Sequence, residues 1–159
     1  MAFCGVIIAS FSFHVVSMSL LTGADDLAEF IAENYSGRVV EVGAGFAAEV
    51  ALGLRERGLD VALTDKEERL LGNLRVEKDD IFSPRLELYS GASLIYSIRP
   101  PLEMQLAMGL LASLIGADVL VRPLMDEVAE LPDFARRLVN RGKARFYLFS
   151  AKRSFLYLR

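Results

Sequence analysis

The chain has 159 residues, 53% of them hydrophobic and 25% charged, a composition that folds around one core without disulfides or metal and excludes a disordered polymer. Its one cysteine, Cys4, rules out an internal disulfide, and its one histidine, His14, lies in the N-terminal segment, so a histidine triad or zinc site in the main domain is excluded. The net charge of −3 is uneven: no acid follows Asp133, the Lys and Arg beyond it contribute +8, and −11 is left on the rest, which suits either an anionic partner near the C-terminal end or a solvated basic hairpin balancing an acidic body.

Residues 1–24 carry no Asp, Glu, Lys or Arg. Met1 to Leu21 is long enough for a membrane span, but His14 and four serines dilute it and no Lys or Arg anchors it. A secretory signal would need a basic start, which is absent. The reading favoured here takes residues 1–21 as an apolar segment outside the domain, with translation starting at Met18; a buried extra strand or helix is the alternative. The domain proper is then 22–159, in the cytoplasm and without a membrane partner.

Thr22 to Tyr35 has helical spacing, with Leu27, Phe30, Ile31 and Tyr35 on one face, Thr22 as cap and early acids suited to the helix dipole. Strands and helices then alternate. Strands are expected at Arg38–Val42, Asp60–Thr64, Leu74–Lys78, Ala92–Ile98, Asp118–Arg122, Ala144–Phe149 and Phe155–Leu158. Helices are expected at Ala47–Arg57, Lys66–Leu71, Leu102–Ile115 and Asp126–Asn140, the last broken near Pro132, with at most a turn or two at Arg85–Tyr89. Repeated β-α alternation implies parallel strands, and the short final connection forces an antiparallel return. The expected fold is α/β: a Rossmann-like three-layer sandwich whose mostly parallel seven-stranded sheet ends in an antiparallel C-terminal hairpin.

Val39-Val40-Glu41-Val42-Gly43-Ala44-Gly45-Phe46 follows a strand and opens a helix. Glycine there lets a ligand approach the backbone, and the free N–H groups of the next helix face the same spot. Gly43-x-Gly45-x-x-Ala48 also fits a dinucleotide loop, but a carboxylate at Glu41 would oppose a pyrophosphate and favour a ligand with a cationic end. A tight turn, with Glu41 capping a neighbouring helix, is the purely structural alternative.

Glu41-Val42-Gly43-Ala44-Gly45 resembles the first motif of class I S-adenosylmethionine-dependent methyltransferases, a resemblance that spans about Arg38 to Arg159 and departs at Ala47, where many members have a third glycine. It implies S-adenosylmethionine as cofactor, held by Glu41, Gly43, Ala44 and Gly45. Asp65, twenty positions after Gly45 and followed by Lys66, is placed to accept both ribose hydroxyls, or to cap a helix from Lys66. In Lys78-Asp79-Asp80-Ile81-Phe82 the resemblance favours Asp80 and Ile81 as the adenine contacts, with Asp79 as the alternative; a solvated turn before Pro84 is the structural reading.

Tyr96-Ser97-Ile98-Arg99-Pro100-Pro101 resembles the fourth methyltransferase motif, with Ile98-Arg99 inserted before the prolines and Leu102 in place of an aromatic, a departure from the amino-methylating pattern. Ser97, Arg99 and Pro100 are expected to shape the acceptor site, and Arg99 suits a phosphate or carboxylate; the structural alternative pairs Arg99 with Glu103 and buries Tyr96. With Asp80-Ile81-Phe82-Ser83-Pro84 upstream, the segment is also similar to a small archaeal family with a trimmed methyltransferase-like domain. These features point to a compact methyltransferase acting on RNA, a nucleotide or another phosphate-bearing acceptor. A non-catalytic adenosyl-binding module with a protein partner or a second copy is the second reading, and an NAD-dependent oxidoreductase the third.

Overall fold

Arg38–Val42 (β1) is a β-branched run whose last four residues are all buried, the pattern of a central strand covered on both faces. Around it the computed structural model, which describes residues 21–152, builds one eight-stranded sheet. The other strands are β2 (Asp60–Asp65), β3 (Arg69–Leu71), β4 (Leu74–Lys78), β5 (Ala92–Ile98), β6 (Asp118–Arg122), β7 (Phe134–Arg141) and β8 (Ala144–Ala151). Their order is β3-β4-β2-β1-β5-β6-β8-β7. β1, β2, β4, β5 and β6 run parallel, while β3 opposes β4 and β8 opposes both β6 and β7. The chain leaves β1 toward β2 and later returns to its other side as β5, so the carboxyl ends of β1 and β5 form a switch point, where open α/β sheets bind ligands.

Helices α1 (Ala24–Asn34) and α2 (Glu49–Glu56) cover one face and α3 (Leu102–Ile115) covers the other. Leu27, Phe30 and Ile31 of α1 and Val50 and Leu54 of α2 pack on Val39, Leu94, Leu120 and Phe146. Met108, Leu111 and Ala112 of α3 pack with Leu131 and Phe134 on Val40, Ile95, Val119 and Phe149. Alternation along β1 therefore sends Val40 and Val42 to the α3 side, and Val39 and Glu41 to the side of α1 and α2.

The expected three-layer class is present, and two expected helices are strands. Lys66–Leu71 is not helical: Arg69–Leu71 turns back on β4, with Leu71 opposite Leu74 across the pair Gly72-Asn73. A two-residue glycine-containing turn between apolar residues is hairpin chemistry and outweighs the spacing of Glu67, Leu70 and Leu71. Asp126–Asn140 is likewise an extended stretch through Pro132 followed by β7, joined to β8 through Gly142-Lys143. The terminal antiparallel hairpin exists, one element earlier than expected, and β3 and β7 together with six of the expected strands make the eight. The strand expected at Phe155–Leu158 and the apolar N-terminal segment lie outside the described residues. Thr22 does not cap α1; Gly23 holds the cap position without a side-chain hydrogen bond.

The basic hairpin balances the acidic body directly. Arg141 pairs with Glu29 and Glu33 of α1 at 3.0 and 2.7 Å, Arg136 with Glu130 at 2.8 Å, and Arg145 with Asp126 at 3.8 Å. No helix among the described residues is long and apolar enough to cross a membrane.

Candidate functional site

β1 delivers the chain into Gly43-Ala44-Gly45 at the switch point. Gly43 (φ 67°) and Gly45 (φ 59°) are both left-handed, a conformation side chains resist. The Ala44 N–H donates to the Thr64 carbonyl at 3.0 Å and ties the loop to β2. A Cβ on Gly43 would stand 2.6 Å from Met104 Cε, so only glycine lets Met104 pack this closely against the loop backbone. Two hollows meet there. A cavity of 210 Å³ is lined by Glu41, Gly43, Gly45, Glu49, Ile98 and Arg99, among others. A cleft of 370 Å³ is lined by Gly43, Asp65, Asp79, Ile81, Phe82 and Met104, among others.

Glu41 is 3% exposed and faces the first hollow. The Tyr96 hydroxyl donates to its Oε2 at 2.6 Å. Burial pushes its pKa up to about 8 and the charge of Glu49 adds to the rise, while the Tyr96 hydrogen bond acts the other way. Burial and the neighbouring Glu41 together raise the Tyr96 phenol well above its ordinary range. Glu41 thus holds a proton near neutral pH and ionises readily beside a cation.

Asp65 stands between the hollows. Its Oδ2 accepts from the Gly45 N–H at 3.1 Å and from Arg69 Nη1 at 2.6 Å, and its Oδ1 accepts from the Lys66 N–H at 2.7 Å. Partial burial works to raise its pKa, but those hydrogen bonds and the Arg69 charge outweigh it and hold the pKa below the usual range. Arg69 also donates to the Gly45 carbonyl at 2.6 Å and stacks 4.4 Å from the centre of the Phe46 ring. Sequence reasoning missed Arg69, because an acid four residues before an arginine reads as an ordinary helical ion pair when the segment is taken for a helix.

Of the two candidate adenine acids, Asp79 lines the cleft and Asp80 does not. Asp80 is exposed, accepts from the Phe82 N–H at 3.0 Å, and borders a separate 680 Å³ groove among Glu68, Arg75, Glu77 and Arg85. Those side chains largely neutralise one another. Asp79 is buried, accepting from the Tyr89 hydroxyl at 2.6 Å and the Arg85 N–H at 2.9 Å. Ile81 and Phe82 line the cleft. Lys66 is exposed at the edge of both the cleft and the groove.

The fourth-motif residues divide. Ser97 is fully buried, and its hydroxyl donates to the Val42 carbonyl at 2.6 Å, clamping β5 to β1. Pro100 is buried, its carbonyl accepting from Gln105 Nε2 at 3.1 Å. Neither lines either hollow, since Ser97 is turned into the sheet and Pro100 against α3. Arg99 is exposed at the cavity rim and makes no ion pair with Glu103.

Residues 24–151 match the family described as "Uncharacterised protein family (UPF0146)". A UPF0146 protein of Archaeoglobus fulgidus is 45% identical over 77% of this chain and 91% of its own length. One of Methanothermobacter thermautotrophicus is 41% identical over 72% and 84%. Among solved structures, an S-adenosyl-L-methionine methyl transferase from Silicibacter pomeroyi aligns with TM-score 0.57 and 13% identity, over 79% of this chain and 88% of that one. The ribosomal protein L11 methylase of Lactobacillus delbrueckii aligns with TM-score 0.56 and 15% identity, over 80% and 77%. TrmN from Thermus thermophilus aligns with TM-score 0.53 and 18% identity over 79% of this chain, which spans only 46% of TrmN. At these identities the likeness is one of fold.

Proposed function

The chain belongs to the family UPF0146, and from that premise we propose that it binds S-adenosylmethionine and works as a compact methyltransferase. The observation that carries the reading is the pair of hollows meeting at Gly43. One holds a buried carboxyl, and the other combines apolar walls with three acids, Asp65, Asp79 and Glu103. The residues fit the cofactor. Glu41 would face its amino end, Asp65 its ribose hydroxyls once Arg69 yields, and Asp79 with Ile81 and Phe82 its adenine. Gly43 and Gly45 allow close approach to the backbone, and Ala44 anchors the loop.

Bound in this way, the cofactor supplies a methyl group on a positively charged sulfur, open to in-line displacement. The protein's share is to position the acceptor and exclude water. A cationic ligand end gains an ion pair with Glu41 that NAD, with a pyrophosphate at the loop, would not. A second reading, a non-catalytic binding module, is favoured by one observation: the Ser97 and Tyr96 hydroxyls are spent on Val42 and Glu41, leaving Arg99 as the polar side chain of that strand end at the cavity.

Thermal melts with S-adenosylmethionine, S-adenosylhomocysteine and NAD test the binding claim, since a ligand of the native state raises the midpoint. Stabilisation by the two adenosyl compounds but not NAD is expected; stabilisation by NAD alone refutes it. Radiolabelled methyl transfer into a cell extract then separates enzyme from module, and its absence in a protein that binds the cofactor favours the module.

A further inference from the structure

The carboxyl ends of β5 and β6 bring two arginines together. Ile98 pairs with Arg122, and the Arg99 N–H donates to the Arg122 carbonyl at 2.7 Å. Arg99 is the one non-glycine residue among those described with a left-handed backbone, at φ 57°. It also precedes Pro100, a position that disfavours helical conformations. Such strain persists where the surroundings over-determine it and clusters at ligand sites. Arg122 is half-buried, donating one Nη2 hydrogen to the Thr22 carbonyl, and its Nη1 is buried with no hydrogen-bond partner among the described residues. Among the described residues neither arginine lies within ion-pair distance of a carboxylate. Burial and the positive charge of Arg99 both press on Arg122.

An unpartnered buried guanidinium nitrogen is costly, and so are two adjacent cations without a counter-charge. Folding tolerates both where a ligand supplies the missing acceptors. A phosphate matches the pair better than a carboxylate does. A terminal phosphate monoester carries close to two negative charges and enough oxygens for two guanidinium forks, whereas a carboxylate or an internal phosphodiester offsets one arginine only. Glu41 and Glu49 line the same cavity as Arg99, and the buried Glu41 holds its proton near neutral pH, so the repulsion an anion meets there comes chiefly from Glu49.

We propose that Arg99 and Arg122 form a phosphate-binding site at the rim of the Glu41 cavity, which holds the terminal phosphate of a nucleotide or 5′-phosphorylated RNA acceptor. The acceptor part of this assignment rests on the methyltransferase reading; the anion site itself does not.

Calorimetric titration of the full chain with inorganic phosphate, and separately with S-adenosylhomocysteine, tests it in wild type and in Arg99→Gln, Arg99→Gly and Arg122→Gln. Phosphate is expected to bind wild type and to bind each variant roughly ten- to a hundredfold more weakly, with homocysteine-ligand affinity unchanged. Cytidine monophosphate and a short 5′-phosphorylated single-stranded RNA then distinguish the two acceptors by which binds more tightly. Phosphate binding that is absent from wild type, or undiminished in both Arg99 variants, overturns the site. Loss of S-adenosylhomocysteine affinity in Arg99→Gln, with phosphate binding intact, assigns Arg99 to the cofactor's carboxylate and also overturns it. If phosphate binding behaves as expected and S-adenosylhomocysteine binds no form of the protein, the anion site stands and the cofactor reading fails.

Discussion

Replacing Glu41 with Gln isolates the charge at the centre of the site. The amide keeps an oxygen for the Tyr96 hydroxyl but cannot ionise. In the folded protein burial raises the Glu41 pKa from 4.5 to about 8, so the unfolded chain releases this proton at a lower pH than the native state does. Its contribution to stability is intact below the unfolded value of 4.5 and is lost as pH rises toward the folded value. The loss near pH 7 is on the order of 3 kcal/mol. For a domain of this size that separates the melting midpoints of wild type and Glu41→Gln by on the order of 5–10 °C at neutral pH, with little separation near pH 4. Melts recorded at intervals across that range measure the gap directly. A cationic ligand end reverses the balance and drives the proton off, so S-adenosylhomocysteine binding to wild type near pH 7 should release close to one proton. Calorimetry in two buffers of different ionisation enthalpy reads that proton, and Glu41→Gln should release none. Midpoints that stay parallel at every pH, or binding without proton release, refute the reasoning.

Asp65→Asn should destabilise the domain above the usual carboxylate range and converge with wild type as pH falls through the depressed Asp65 value, since a lowered acid stabilises only while ionised; acid-range melts check this. Arg69→Met leaves Asp65 Oδ2 with the Gly45 N–H alone and should tighten S-adenosylhomocysteine binding by roughly two- to tenfold by titration, and Arg69→Met in the Asp65→Asn background should gain nothing. Gly43→Ala strains the backbone and drives Met104 Cε aside, costing about 1–2 kcal/mol in denaturant unfolding. Arg99→Gly should raise the melting midpoint by about 1–3 °C, because relief of left-handed strain exceeds the added freedom of glycine.

The central strands and the glycine loop were legible because they are set by local chemistry. Val39 to Val42 is continuously apolar but for one acid, and Gly43 and Gly45 are residues a left-handed turn selects. The misread elements turned on competition between spacing and turn type. Leu70 and Leu71 have helical spacing from Glu67, yet Gly72-Asn73 closes a hairpin, and Gly142-Lys143 does the same for β7. That misreading hid Arg69, whose role depends on β3 folding back over the loop. Which of Asp79 and Asp80 lines the cleft was not legible for a similar reason: the tertiary partners Tyr89 and Arg85 decide that Asp79 is held inward. Arg122 gave no signal, since its meaning comes from the pairing of β6 beside β5.

A crystal structure of the full chain with S-adenosylhomocysteine tests the central claim most directly. The account predicts the amino-acid end beside Glu41, the nucleoside between Asp65 and Phe82, and the ligand crossing the backbone at Gly43. A ligand lodged in the charged groove by Asp80, or one that makes no contact with the backbone at Gly43, would contradict it.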